Sequence, residues 1–106
     1  MSTIIRGTTP TVTFKVNSNL DLTEIAELWI TFRSGVHYEE KTFTKDDVTI
    51  DAVEKTITLV LSQEDTLDFD ESASKVQLRV RMNDDMAYAS DIIETQIGKI
   101  LKDGVI

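Results

Sequence analysis

The sequence predicts an all-β domain built as a two-sheet antiparallel β-sandwich. Three observations predict it. Apolar and polar residues alternate at period two in four separate runs. Turn-forming clusters separate those runs. Strand candidates recur about every 8 to 12 residues, the rhythm of a sandwich or barrel. The chain has 106 residues, the usual size of one domain, and residues 1–106 are read as one. A chain of this length buries roughly 65% of the surface it exposes when unfolded, so it folds without staples.

In "TVTFKV", Val12, Phe14 and Val16 share one face, opposite Thr11, Thr13 and Lys15. In "ELWITFR", Leu28, Ile30 and Phe32 face one way, and in "KTITLVLS", Ile57, Leu59 and Leu61 do so. The longest run, "KVQLRVRMN", sets Val76, Leu78, Val80 and Met82 against Lys75, Gln77, Arg79 and Arg81. Alternation at 180° per residue describes half-buried strands, and the Thr, Val and Ile content agrees. "NSNLD", "RSG", "TKDD", "NDD" and "KDG" are turn clusters. Two segments carry short helical signals. "DLTEIAEL" starts on Asp21 as N-cap, with Glu24 three residues on. "SQEDTLDF" starts on Ser62, with Asp65 in the capping-box position and Leu67 and Phe69 placed to tuck under a sheet edge. In "MAYASDIIETQIGKIL" the apolar parity changes from Met86 and Tyr88 to Ile93 and Ile97. A one-residue slip inverts every side chain, so a bulge or bend is expected near Ser90 and Asp91. The expected fold is immunoglobulin-like in outline, with seven or eight strands and one or two short helical turns.

Eleven basic residues stand against nineteen acidic ones, a net charge of −8. That balance argues against a nucleic-acid partner, which needs clustered Lys and Arg. The chain has no cysteine, which excludes disulfides, thiolate metal sites and a cysteine nucleophile. No stretch approaches the roughly 18 apolar residues of a membrane span, and "MSTIIRGTTP" carries no signal-peptide pattern.

Candidate chemistry is sparse. Acidic pairs recur at Glu39-Glu40, Asp46-Asp47, Glu64-Asp65, Asp68 with Asp70-Glu71, and Asp84-Asp85. Calcium needs six to eight oxygens, and "DFDESAS" lacks the glycine of an EF-hand loop, so solvated turns are the favoured reading. His37 is the sole histidine, and no serine sits in a G-x-S-x-G elbow. None of the four glycines belongs to a phosphate-binding loop. Lys75, Arg79 and Arg81 form a basic stripe, read chiefly as cross-strand partners for carboxylates. No cofactor and no metal site are expected. Trp29 is the most informative residue. The parity that turns Leu28, Ile30 and Phe32 inward turns Trp29 outward, either as an interface anchor or under a covering loop. Ile97, Ile100, Leu101, Val105 and Ile106 are too apolar to hang free. They fold back on the domain or add to a partner surface, and Ile4 and Ile5 repeat the question at the other end.

Several stretches carry a family resemblance. "IIRGTTPTVTFKV", "LWITFRSG", "TLVLSQEDTLDF" and "VQLRVRMNDDMAYASDIIETQIGKILKDGVI" resemble small proteins of phage and prophage tail modules in Gram-positive bacteria. Gly7-Thr8-Thr9-Pro10 followed by an alternating strand is similar to the N-terminal domain of siphophage baseplate upper proteins. The resemblance implies a sandwich that packs against other tail or baseplate proteins, in the virion tail or in the host cytoplasm during assembly. The expected function is therefore a non-enzymatic structural or adaptor role, with a homo-oligomer among the arrangements. Trp29, Ile100, Leu101, Val105 and Ile106 are the expected protein interface. The alternative is a carbohydrate- or host-surface-binding module. An enzyme is disfavoured because no nucleophile, base and orienter stand together.

Overall fold

A computed structural model of the chain describes residues 3–16, 19–34, 39–69, 73–90, 93–98, 101–102 and 104–106. Nine strands lie among them: β1 (Thr3–Ile5), β2 (Thr11–Lys15), β3 (Ile25–Ser34), β4 (Glu39–Thr44), β5 (Val48–Asp51), β6 (Thr56–Val60), β7 (Ala73–Met82), β8 (Ala87–Ala89) and β9 (Ile93–Gly98). They form two sheets. The larger runs β1-β9-β7-β3-β4, with β8 also on β7, and the smaller runs β2-β6-β5. The molecule is mostly β and its pairs are antiparallel, except that β1 runs parallel to β9.

The apolar halves of the alternating runs meet in one cluster. Leu28, Ile30 and Phe32 of β3 and Val76, Leu78, Val80 and Met82 of β7 join Ile57 and Leu59 of β6, with Leu61 beyond it. The cluster thus takes residues from both sheets, as period-two patterning requires. Phe32 is its aromatic centre. Phe43 meets it edge-on at 5.9 Å, and Phe69 lies tilted against it at 5.3 Å.

Three local features differ from the plain alternating pattern. Asp21 caps a single 3-10 turn, Leu22–Glu24, and its carboxylate accepts from the Thr23 N–H at 3.0 Å and hydroxyl at 2.7 Å. The helical signal goes no further, because Ile25 already pairs with Met82. A register shift between Ile25 and Glu27 leaves Ala26 as the extra residue. That bulge lets Ile25, at an odd position, enter the same core as Leu28 at an even one. The bulge or bend expected near Ser90 corresponds to an irregularity in the pairing of β7 with β8 and β9. From Val76 to Arg79 β7 advances three residues, while its partners advance four, from Ala89 to Ile93. Ser90 fills the irregularity. Its hydroxyl accepts from the Leu78 N–H at 3.0 Å, and its own N–H donates to the Leu78 carbonyl at 2.8 Å. Asp91 lies outside the described residues.

Strand number is the remaining difference: nine among the described residues rather than seven or eight, with one parallel pair. Three-residue strands are too short to display alternation, so β1 and β8 left no legible signal. Pairing β1 with β9 carries Ile4 into the core beside Ile97.

Helix α1 (Gln63–Leu67) forms on the Ser62 cap as the sequence predicts. The Asp65 N–H donates to the Ser62 hydroxyl at 3.0 Å, and the Asp65 carboxylate accepts from the Ser62 N–H at 3.0 Å. The buried Thr66 hydroxyl donates to the Thr8 carbonyl at 2.9 Å, and the Arg6 guanidinium to the Leu67 carbonyl at 2.8 Å. A five-residue helix is unstable alone; these bonds tie it to the β1–β2 connection. Phe69 is buried, and Leu67 is half-buried.

Burial raises the Asp65 pKa, but the Ser62 N–H and hydroxyl and the Lys41 ammonium at 3.3 Å outweigh it, so the carboxyl sits below its ordinary 3.8. A carboxylate depressed on folding stabilises fully above its unfolded pKa and loses that contribution as pH falls through the folded value. Asp65→Ala is therefore expected to cost about 1 kcal/mol at pH 7. Its deficit relative to wild type should shrink below pH 3.8, read by urea melts at pH 7, 4 and 2.5. For the core, Leu59→Ala is expected to cost about 2–5 kcal/mol in the same melts. Val60→Ala, on the opposite exposed face of β6, should change stability by less than about 0.5 kcal/mol.

Candidate interaction face

The register that buries Leu28, Ile30 and Phe32 defines the other side of the larger sheet. Across β3 and β7, Glu27 stands opposite Arg81, Trp29 opposite Arg79, Thr31 opposite Gln77 and Arg33 opposite Lys75. Strand β4 extends these rows with Thr44, Thr42 and Glu40, β8 adds Ala89 and Ala87, and β9 sets Glu94 opposite Lys75. Four of the chain's eleven basic residues thus stand on one face of a molecule whose net charge is −8.

Trp29 occupies the middle of this face and is 46% exposed. The Arg79 guanidinium lies 5.5 Å from its ring centroid, a cation–π contact. No loop among the described residues covers the ring, so the outward reading of Trp29 is the one the fold adopts. Arg33 pairs with Glu40 at 2.7 Å, and Arg81 with Asp85 at 3.4 Å. Both pairs are largely solvent-exposed and contribute little to stability. Among the described residues no carboxylate lies within 4 Å of Arg79. Two shallow depressions of about 150 Å³ each flank the stack, one between Arg33 and Lys75, the other between Trp29, Arg81 and Ala87.

A second exposed apolar place is the chain's last segment. Leu101 and Ile106 are fully exposed, at 109% and 106%, and Val105 is 57% exposed. The Gln63 side chain holds Ile106 at both backbone groups: the Ile106 N–H donates to Oε1 at 2.9 Å, and Nε2 donates to the carbonyl at 3.3 Å. The segment is therefore fastened to α1 by its backbone while its side chains stay in solvent. Gly104 adopts φ +129°, a conformation that side-chain-bearing residues rarely take. Ile97 and Ile4, by contrast, are core residues. Ile100 lies outside the described residues, as do His37 and Tyr38.

Several carboxylates serve the backbone. Asp47 accepts from the Thr44 N–H at 2.9 Å, Asp51 from those of Val53 and Glu54 at 3.1 Å, and Asp84 from that of Met86 at 3.0 Å. Asp68 and Asp65 flank Lys41, at 3.0 and 3.3 Å. Burial lowers the Lys41 pKa, but these two carboxylates more than offset it and hold the ammonium above its ordinary value. Among the described residues no group of three His, Cys, Asp or Glu side chains is placed to hold a metal ion. Asp70 and Glu71 lie outside them. No helix among the described residues is long and apolar enough to cross a membrane.

The alternation in the sequence sets Trp29 outward beside Thr31 and Arg33 on one strand and Lys75, Arg79 and Arg81 together on another, with nothing to join the two. Parity placed each on the polar side of its own strand. It carries no information about which strand lies next to which, and that neighbour relation makes the cluster. Comparison of the chain with models of known families, with curated proteins and with solved structures finds no match.

Trp29 is the only tryptophan, so its fluorescence reports this face alone. Arg79→Ala is expected to increase acrylamide quenching of the ring and to cost about 0.5–1 kcal/mol, the worth of an exposed cation–π pair. Unchanged quenching would show that the stack does not shield the indole.

Proposed function

We propose that this protein is a non-enzymatic structural or adaptor component of a phage tail or baseplate, acting by protein–protein packing. The observation that carries the reading is the exposed Trp29–Arg79 stack at the centre of an open sheet face. Trp and Arg are the residues most enriched at binding hot spots, and a half-exposed tryptophan on a flat face exposes apolar area that a partner removes from water. The exposed Leu101, Val105 and Ile106 supply a second apolar contact. The resemblance to tail-module proteins, from Gly7-Thr8-Thr9-Pro10 to the last strand, supports the setting. In that setting the partners are other tail or baseplate proteins or further copies of this chain, in the virion or during assembly in the host cytoplasm.

The fold reading goes with it. We take the two sheets as an immunoglobulin-like sandwich, because the order β9-β7-β3-β4 follows G-F-C-C′ of a variable-type domain and β2-β6-β5 follows B-E-D. Two departures accompany the likeness: there is no disulfide, and the tryptophan of the C-like strand faces outward. The carbohydrate-binding alternative draws on the same Trp29. A sugar platform needs several coplanar aromatics, and among the described residues Trp29 is the only aromatic at an outward position of the larger sheet.

Mass spectrometry of tail particles purified from induced host cells tests the reading. The expected result is this protein in stoichiometric amount, with Trp29→Ala reducing its incorporation at least tenfold while leaving its circular dichroism unchanged. Absence of the wild-type protein from particles and from assembly intermediates would sink it.

A further inference from the structure

We infer that the outer face of β3 and β7 binds an extended acidic segment of a partner protein, with carboxylates at alternate positions, centred on Arg79 and Trp29. The inference rests on the packing role proposed above and names the chemistry of the partner. Lys75, Gln77, Arg79 and Arg81 occupy alternate positions of one strand, so three of these four outward positions are basic. Neighbouring positions on a strand face repeat every ~7 Å, and the stretch from Lys75 to Arg81 spans ~20 Å. An extended peptide has the same repeat, so acidic side chains at every second residue fall in step with these cations. Arg79 is the centre of the match. Its guanidinium lies against the indole face, and among the described residues no carboxylate occupies its N–H edge. That edge accepts a carboxylate in bidentate geometry. The flanking Arg33–Glu40 and Arg81–Asp85 pairs are exposed and weak enough to exchange for incoming carboxylates. The indole surface left in solvent supplies the apolar contact.

Charge decides between occupants. A long polyanion such as nucleic acid meets the field of a chain carrying −8 on either side of a narrow stripe. A second copy carries the same −8. Among the described residues, Asp47, Asp51, Asp65 and Asp84 are engaged by backbone N–H groups at caps and turns, and Glu39-Glu40 on β4 are consecutive rather than alternate. A short acidic segment of another protein touches only the stripe.

The test is titration of the full chain, followed by Trp29 emission, with an eight-residue synthetic peptide alternating glutamate and threonine. The expected result is a saturable emission change that weakens at least tenfold in Arg79→Gln, weakens several-fold in Lys75→Gln, and falls as salt screens the charges. A lysine–threonine peptide should give none. No response to the glutamate peptide, an equal response from both variants, or an equal response to inorganic polyphosphate overturns the inference. So does an emission change with rising protein concentration alone accompanied by a doubled mass, which assigns the face to a second copy. Both variants change exposed side chains, and circular dichroism checks their folding. Failure of the two proposals is distinguishable. Wild-type protein present in particles but silent to the peptide loses only the acidic segment; protein absent from particles loses the packing role whatever the titration gives.

Discussion

The pairing of β3 with β7 is the constraint on which the rest of the molecule depends. The two strands are ten residues each and stay in register from Glu27–Arg81 to Ser34–Ser74. A strand presents alternate residues to opposite sides, so one register fixes two surfaces together. Leu28, Ile30, Phe32, Val76, Leu78 and Val80 go to the core, while Trp29, Arg33, Lys75, Arg79 and Arg81 go to the outside. A slip of β7 by one residue would turn that strand over, burying Lys75, Arg79 and Arg81 and exposing Val76, Leu78 and Val80. The desolvation penalty of those charges makes the alternative register untenable. The basic residues of the outer face therefore contribute to fold specificity even where their ion pairs add little stability.

Around that pair, closure is achieved by short pieces that use side-chain bonds where strands are lacking. The β3 bulge at Ala26 shifts parity so that Ile25 and Leu28 serve one core, and the Ser90 irregularity shifts the pairing on β7 between β8 and β9. The α1 turn fastens the N-terminal connection through Thr66 and Arg6 and is itself fastened to β4 through Asp65, Asp68 and Lys41. Burial, hydrogen bonding and charge act together at this junction, which lets a helix of five residues persist.

Charge is sorted in space as well as in number. Asp47, Asp51, Asp65 and Asp84 are bound to backbone N–H groups at caps and turns, where a carboxylate satisfies donors that no strand partner reaches. Four of the eleven basic residues share the outer face of the larger sheet with Glu27 and Glu40. It is on this face, around Trp29 and Arg79, that we propose an acidic partner segment binds. Neither the net charge nor the composition describes that surface, and both would suggest the opposite preference.

The alternating runs, the Ser62 capping box, the Asp21 cap, the parity break near Ser90 and the outward aim of Trp29 were all legible in the sequence, because each depends on residues within about ten positions of one another. What only the tertiary structure decided is non-local. The parallel pairing of β1 with β9, the one-turn limit of the Asp21 helix, the meeting of Trp29 with Arg79 and of Arg33 with Lys75, and the Gln63 clamp on Ile106 all depend on which segment lies beside which. Periodicity reports the face a side chain takes on its own strand. It says nothing of the neighbour across the ladder, which is set by the packing of the whole core.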